Sequence, residues 1–283
     1  MVKHLIPKNY QEALKKASQT PYIKIAGGTD LMVQKRGSAQ TEPKFDKPVM
    51  YLFNLPELNH ITAEYDILKI GSMTPFEVIL KSEDTPLVFK QVLVELASPG
   101  IRNIATLAGN IGNASPAGDA LVYLYAIRAK VVLESLRGTR ILPIHEVILG
   151  PRQTSIESDE IIKEIHIPLK PFTHTRWVKV GGRKADAISK VSFIGLALIE
   201  NNIIKDIRIA LGAVYKTVAN DQAFERSMTH MSTVEINEKI NTVKSHYQTL
   251  IKPIDDQRSN QEYRKKVSMN LIEDFIKSLK EEM

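Results

Sequence analysis

Cysteine is absent from this chain. That excludes disulfides, thiolate catalysis and the ligation of an iron–sulfur cluster by this polypeptide. Aromatic residues make up only 6% of the sequence, and no basic stretch carries them interleaved, so the formal charge of +6 does not read as a single-strand nucleic-acid binder. The charge is spread along the chain and predicts a basic surface facing an acidic partner. The histidines lack any metal-ligand spacing, and no Gly-x-Ser-x-Gly elbow occurs, so neither a metal centre nor a serine hydrolase is supported. The Gly-x-Gly-x-x-Gly dinucleotide fingerprint is also missing. No apolar run approaches bilayer length, and the first residues hold no apolar signal core, which predicts a cytoplasmic location.

What is present is glycine in two places. Ala26-Gly27-Gly28-Thr29-Asp30-Leu31 follows the strand-like run Tyr22-Ile23-Lys24-Ile25. Glycine there permits positive φ and leaves no Cβ between backbone and ligand. Successive N–H groups in such a turn can converge on a phosphate, and Thr29 or Asp30 can cap a short helix whose dipole favours an anion. A second small-residue stretch runs from Thr106 through Gly109, Asn110 and Gly112 to Ser115-Pro116-Ala117-Gly118-Asp119 and is read as a second glycine-rich loop. One such loop is a tight turn with no necessary ligand. Two in this order suggest one cofactor held along its length.

Periodicity supplies the frame. Helices are expected over 9–17, 30–36, 119–127, 219–230, 233–251 and 261–281, and strands over 22–25, 50–53, 67–71, 130–134 and 161–167. Thr74-Pro75 and Thr85-Pro86 are each read as a capping hydroxyl before a helix-opening proline. Residues 175–180, 190–199 and 203–212 look like an antiparallel meander turning at Asn201-Asn202. Composition is that of an ordinary globular protein, and a boundary near 170 separates mixed α/β from sheet followed by helices.

These residues resemble the FAD-binding medium subunit of the molybdenum hydroxylases, the group of xanthine dehydrogenase and the aerobic carbon monoxide and aldehyde dehydrogenases. Residues 26–31 match its first motif throughout. Residues 101–119 match its second motif except at Ala108, where the family usually has glycine. Trp177-Val178-Lys179-Val180, the segment 183–191 and Glu262-Tyr263-Arg264 resemble its later regions.

The resemblance implies an α+β chain: a two-subdomain FAD-binding fold of the vanillyl-alcohol-oxidase/PCMH type, then a three-stranded antiparallel sheet with a helical bundle. Its domains would be 1–170, with subdomains of about 1–55 and 56–170, and 171–283. It implies FAD around Lys24, Ile25, Ala26, Gly27, Gly28, Thr29, Asp30 and Leu31, and around Thr106, Leu107, Ala108, Gly109, Asn110 and Ser115. Asp119 either caps its helix or accepts from cofactor hydroxyls. Ile162 and Lys179 either follow strand alternation or meet the flavin, Lys179 as a cation near the pyrimidine edge. Neither loop holds Cys, His or Tyr, so the FAD is expected to be noncovalent.

The implied partners are a small subunit with two two-iron, two-sulfur clusters and a large molybdopterin subunit, in a dimer of heterotrimers. Clusters and molybdopterin would sit on those partners only, with this chain relaying electrons to an external acceptor. A self-contained flavin oxidase and a scaffold that has lost FAD are the alternatives. Substrate and acceptor stay open.

Overall fold

The computed structural model describes residues 2–38 and 41–280. They form two compact units, each built from non-contiguous stretches. The first holds residues 1–86, 97–114 and 128–169, and the second 87–96, 115–127 and 170–283.

In the first unit, β1 (His4–Leu5), β2 (Ile23–Ile25) and β3 (Val49–Tyr51) form a parallel sheet in the order β1-β3-β2. β1 and β2 flank β3 in parallel, and the helix Tyr10–Gln19 carries the chain from one to the other. Asn9 caps it by accepting from the Glu12 N–H at 2.9 Å. Tyr10, Ala13, Leu14 and Ala17 fall on one face and are buried against Met50, Leu52, Leu55 and Leu58.

The second sheet of this unit contains β4 (Ile61–Glu64), β5 (Ile67–Gly71), β6 (Lys130–Ser135) and β7 (Gly138–Pro143). A short ribbon follows, β8 (Ile148–Gly150) with β9 (Gln153–Thr154), and then β10 (Ile161–Pro168) completes the sheet in the order β4-β5-β10-β6-β7. β10 is central because Ile165 pairs with Ile70 on one side and Val131 on the other, all three fully buried. β4 and β7 are too short and too polar to announce themselves by periodicity. They exist because β5 and β6 offer open edges.

The second unit carries β11 (His174–Val180), β12 (Val191–Glu200) and β13 (Ile203–Gly212) in that antiparallel order. Asn201 and Asn202 both adopt positive φ, +52° and +62°, as a two-residue hairpin turn requires. The helix Asp119–Ile127 is buried along its whole length, and its Tyr123 ring stacks on Phe89 at 4.2 Å. Phe193, Ile207, Ile209, Tyr247, Ile272 and Phe275 form the core between sheet and C-terminal helices.

Several expectations need correction. Residues 107–113 are not a loop: Leu107–Asn113 is a helix. The helix at 30–36 shortens to Leu31–Gln34, with no side-chain cap from Asp30. The segment 233–251 breaks at Lys239 into Thr233–Glu238 and Ile240–Leu250, and 219–230 contracts to Gln222–Ser227. The last helix is Gln261–Ser278; residue 281 lies outside the described residues. Thr74 does not cap a helix: the helix Phe76–Lys81 has Pro75 at its N-cap and no side-chain cap. The Thr74 hydroxyl exchanges hydrogen bonds with the backbone of His60, and that of Thr85 donates to the Ile79 carbonyl at 2.7 Å. Each hydroxyl finds a nearer partner, which is the competition that makes such caps uncertain in sequence.

Candidate cofactor site

β2 delivers the chain into the turn 26–30 in the first unit. Gly28 sits at φ +68°, a conformation that a branched residue strains to adopt. Gly27 is required for another reason: a Cβ there would lie 2.2 Å from the Ile104 carbonyl oxygen. The first motif is thus laid directly on the backbone that leads into the second. The Gln34 amide completes the link, donating to the Asp30 carboxylate and, at 2.8 Å, to the Asn113 amide oxygen.

Thr106 caps the helix of the second motif, its hydroxyl accepting from the Gly109 N–H at 3.0 Å. Leu107 and Ile111 turn into the core, whereas Gly109, Asn110, Gly112 and Asn113 line a cavity of about 550 Å³. Residues 21–31 form another wall, and residues 152, 154, 156–158 and 160–162 a third. That volume lies in the usual range for small-molecule and cofactor sites.

Two polar atoms mark the cavity as built for a guest. The Asn110 Oδ1 and the Ser72 Oγ are buried, belong to lining residues and have no partner among the described residues. Buried polar groups are nearly always satisfied, so such orphans call for a ligand group or an ordered water. Together with the positive-φ glycine and the bare backbone of 26–30, they fit a dinucleotide with hydroxyls and a diphosphate.

The walls are charged but internally balanced. Arg140 holds Glu160 at 2.6 Å, and Arg137 holds Asp159 at 2.8 Å and Glu157 at 2.5 Å. Burial would push the Glu160 carboxyl up, but Arg140 and the Glu157 N–H bring it below its ordinary range. Lys24 behaves differently. Burial lowers its ammonium to about 8, against the pull of Asp159 and Glu160.

Of the expected site residues, the structure brings Lys24, Ile25, Ala26, Gly27, Gly28, Thr29, Asp30, Leu31, Thr106, Ala108, Gly109, Asn110 and Ile162 to one cavity. Leu107 is instead fully buried in the core. Ser115, Asp119 and Lys179 belong to the second unit. There Asp119 and Lys179 pair at 2.8 Å, both side chains under a tenth exposed. Ser189 donates to the other Asp119 oxygen at 2.5 Å, and Lys179 also donates to the Glu95 carbonyl at 2.6 Å. Sequence reading missed Ser72 and the wall residues from 152 to 160. Ser72 is one small residue after a strand, and the wall comes from a polar connection without a motif; only tertiary placement reveals either.

A mixed α/β unit with a dinucleotide-sized cavity lined by two glycine motifs, in a chain that also carries a unit of three-stranded sheet and helices, has the plan of a two-domain FAD-binding protein. The family model described as the FAD binding domain in molybdopterin dehydrogenase matches residues 1–170, and that of the CO dehydrogenase flavoprotein C-terminal domain matches 176–279. The chain belongs to the FAD-binding medium subunits of the molybdenum hydroxylases, and it is an oxidoreductase subunit.

It is 30% identical over 223 residues to the xanthine dehydrogenase FAD-binding subunit of Escherichia coli, covering 76% of this chain and 75% of that one. To the nicotinate dehydrogenase FAD-subunit of Eubacterium barkeri it is 33% identical over 201 residues, 65% of this chain and 64% of that one. Reconstituted CO dehydrogenase from Oligotropha carboxidovorans shares the fold, with a TM-score of 0.87 at 20% identity over 99% of this chain and 98% of that one.

Proposed function

We propose that this chain is the FAD-carrying electron-transfer subunit of a molybdenum-containing dehydrogenase. It takes electrons from iron–sulfur clusters on a small partner subunit, fed by a large molybdopterin subunit, and passes them to an external acceptor. The observation that carries this reading is that two motifs far apart in sequence line one cavity with orphaned polar atoms. Bound FAD supplies the redox chemistry, accepting electrons singly and releasing them as a pair.

The protein's own part is binding and orientation. Backbone N–H groups of residues 24–31 meet the diphosphate, where the turn at Gly28 leaves no side chain in the way. Asn110 and Ser72 offer their unpaired oxygens to cofactor hydroxyls. Ile162 closes the wall through its backbone. Residues 1–170 form the FAD-binding domain and 171–283 the C-terminal domain. The complex is a dimer of heterotrimers in the cytoplasm.

The absence of cysteine fits a relay that borrows its clusters from another chain. The test is co-expression with the neighbouring genes, then size-exclusion chromatography and a flavin spectrum. A yellow complex containing an iron–sulfur chain is expected, with flavin released into the supernatant by acid. Substrate reducing the flavin equally fast without the other subunits would overturn the relay.

A further inference from the structure

Every acid lining the cavity already has a partner from the chain itself. Glu157 and Glu160 are held by Arg137 and Arg140, and Asp30 accepts from Gln34. Asp159, which also faces Lys24, is held by Arg137. Lys24 is the exception. It leaves β2 on the cavity wall, and its Nζ donates to the Ser158 carbonyl across the cavity. Among the described residues no carboxylate forms an ion pair with it; the nearest, Asp159 and Glu160, are bound to Arg137 and Arg140 and attract it only from beyond ion-pair distance. Lys47 and Arg152, the other cations of the lining, are exposed. Lys24 is thus the least exposed cation of the lining, and it has no carboxylate within ion-pair distance.

An ammonium has three donors, and one carbonyl uses one of them. A partly buried cation with two free donors and no ion-pair partner is stabilised when an anion arrives. We propose that the Lys24 side chain is the counter-ion of the dinucleotide's diphosphate, and that its protonation controls how tightly the nucleotide is held. This rests on the FAD reading above. It goes further, because that reading needs only the backbone of residues 24–31 and assigns this side chain nothing.

A pH signature follows. In the empty cavity burial lowers Lys24 to about 8, so the ammonium starts to lose its proton just above neutrality. A bound diphosphate favours the charged form and raises it again. Binding then takes up a proton, and affinity falls with rising pH between the two values, by up to about tenfold per pH unit. Arg137 and Arg140 stay charged throughout and contribute no slope there.

The experiment uses the full-length chain stripped of flavin and titrated calorimetrically with ADP, whose phosphates keep constant charge well above a pKa of about 6. Titrations run from about pH 7 to about pH 10, spanning the lysine range, in two buffers of different ionisation enthalpy. For the wild type, proton uptake and a fall in affinity above about pH 8 are expected. Lys24→Met should weaken ADP about tenfold or more at neutral pH and flatten the profile. Lys24→Arg should bind well and stay flat, since the guanidinium does not titrate. Proton uptake by the wild type stands even if a variant folds poorly, which circular dichroism would report. If Lys24→Met binds ADP as the wild type does, with the same pH profile, the Lys24 assignment is wrong while FAD binding survives. If the wild type binds neither FAD nor ADP, the FAD reading fails and this inference with it.

Discussion

The Asp119–Lys179 pair of the second unit and the cavity of the first handle buried polarity in opposite ways. In the second unit the Asp119–Lys179 pair is closed: each Asp119 oxygen has a donor, and Lys179 has both a carboxylate and a carbonyl. Around the cavity of the first unit, among the described residues, Asn110 Oδ1 and Ser72 Oγ have no partner and no carboxylate forms an ion pair with Lys24. A network satisfied by its own chain is read first as structure. One left unsatisfied beside a cavity of about 550 Å³ is read as half of a complex. The comparison separates two residue sets that family resemblance alone places in a single FAD site.

The strongest way to break it is at Gly28. Gly28→Val puts a branched side chain at φ +68°, so purified protein is expected to lack flavin absorbance while keeping its far-ultraviolet circular dichroism. Gly109→Val should act by bulk alone, since Gly109 is helical and an added Cβ would lie 3.2 Å from the Thr106 hydroxyl. Stoichiometric FAD in both variants would remove the cavity from consideration.

Next comes the closed pair. Asp119→Ala strands a buried ammonium and should cost about 3–5 kcal/mol in urea unfolding, whereas Asp119→Leu combined with Lys179→Met should recover most of it. Should the double variant be stable yet free of flavin, Asp119 and Lys179 serve the cofactor as well as the fold.

A smaller effect is expected in acid. Burial would raise Asp206, but Arg208 at 2.8 Å and Lys170 at 2.6 Å hold it below its ordinary range. A carboxylate depressed in the folded state adds stability that is complete above its unfolded value of about 4 and is lost as pH falls through the folded one. The unfolding midpoint should drop below about pH 4, and Asp206→Asn, though less stable near neutrality, should show a shallower drop. An unchanged slope would assign the acid sensitivity elsewhere, with Glu164 between His60 and His166 the next candidate.

The smallest change is Ala108→Gly, which restores the residue usual at this place in the motif. Ala108 is buried inside a helix, so the variant should lose about 0.5–1 kcal/mol of stability with little change in flavin affinity. A marked gain in affinity would show that the Ala108 methyl crowds the cofactor.

Much was legible beforehand where a pattern is local. The helix Asp119–Ile127 and the hairpin turn at Asn201-Asn202 follow from a continuous apolar run and from two residues that tolerate positive φ. The second motif misled because glycine and asparagine look like loop. A Thr106 cap and the burial of Leu107, Ala108 and Ile111 stabilise a helix there despite poor propensity. Lys239 splits what looked like one helix, and nothing in its neighbourhood signals a break.

By itself the sequence determined which backbone could be bare, at Gly27 and Gly28, and which chemistry was unavailable, since no cysteine exists to bind a cluster. Those are properties of single residues, settled by the presence or absence of a Cβ or a thiol. Only the tertiary structure decided which polar groups are satisfied. It gave Asp119 to Lys179, gave Glu157 and Glu160 to two arginines, and left Lys24, Ser72 and Asn110 facing the cavity. Partnership depends on distances between residues remote in sequence, and no pattern along the chain encodes which donor reaches which acceptor first.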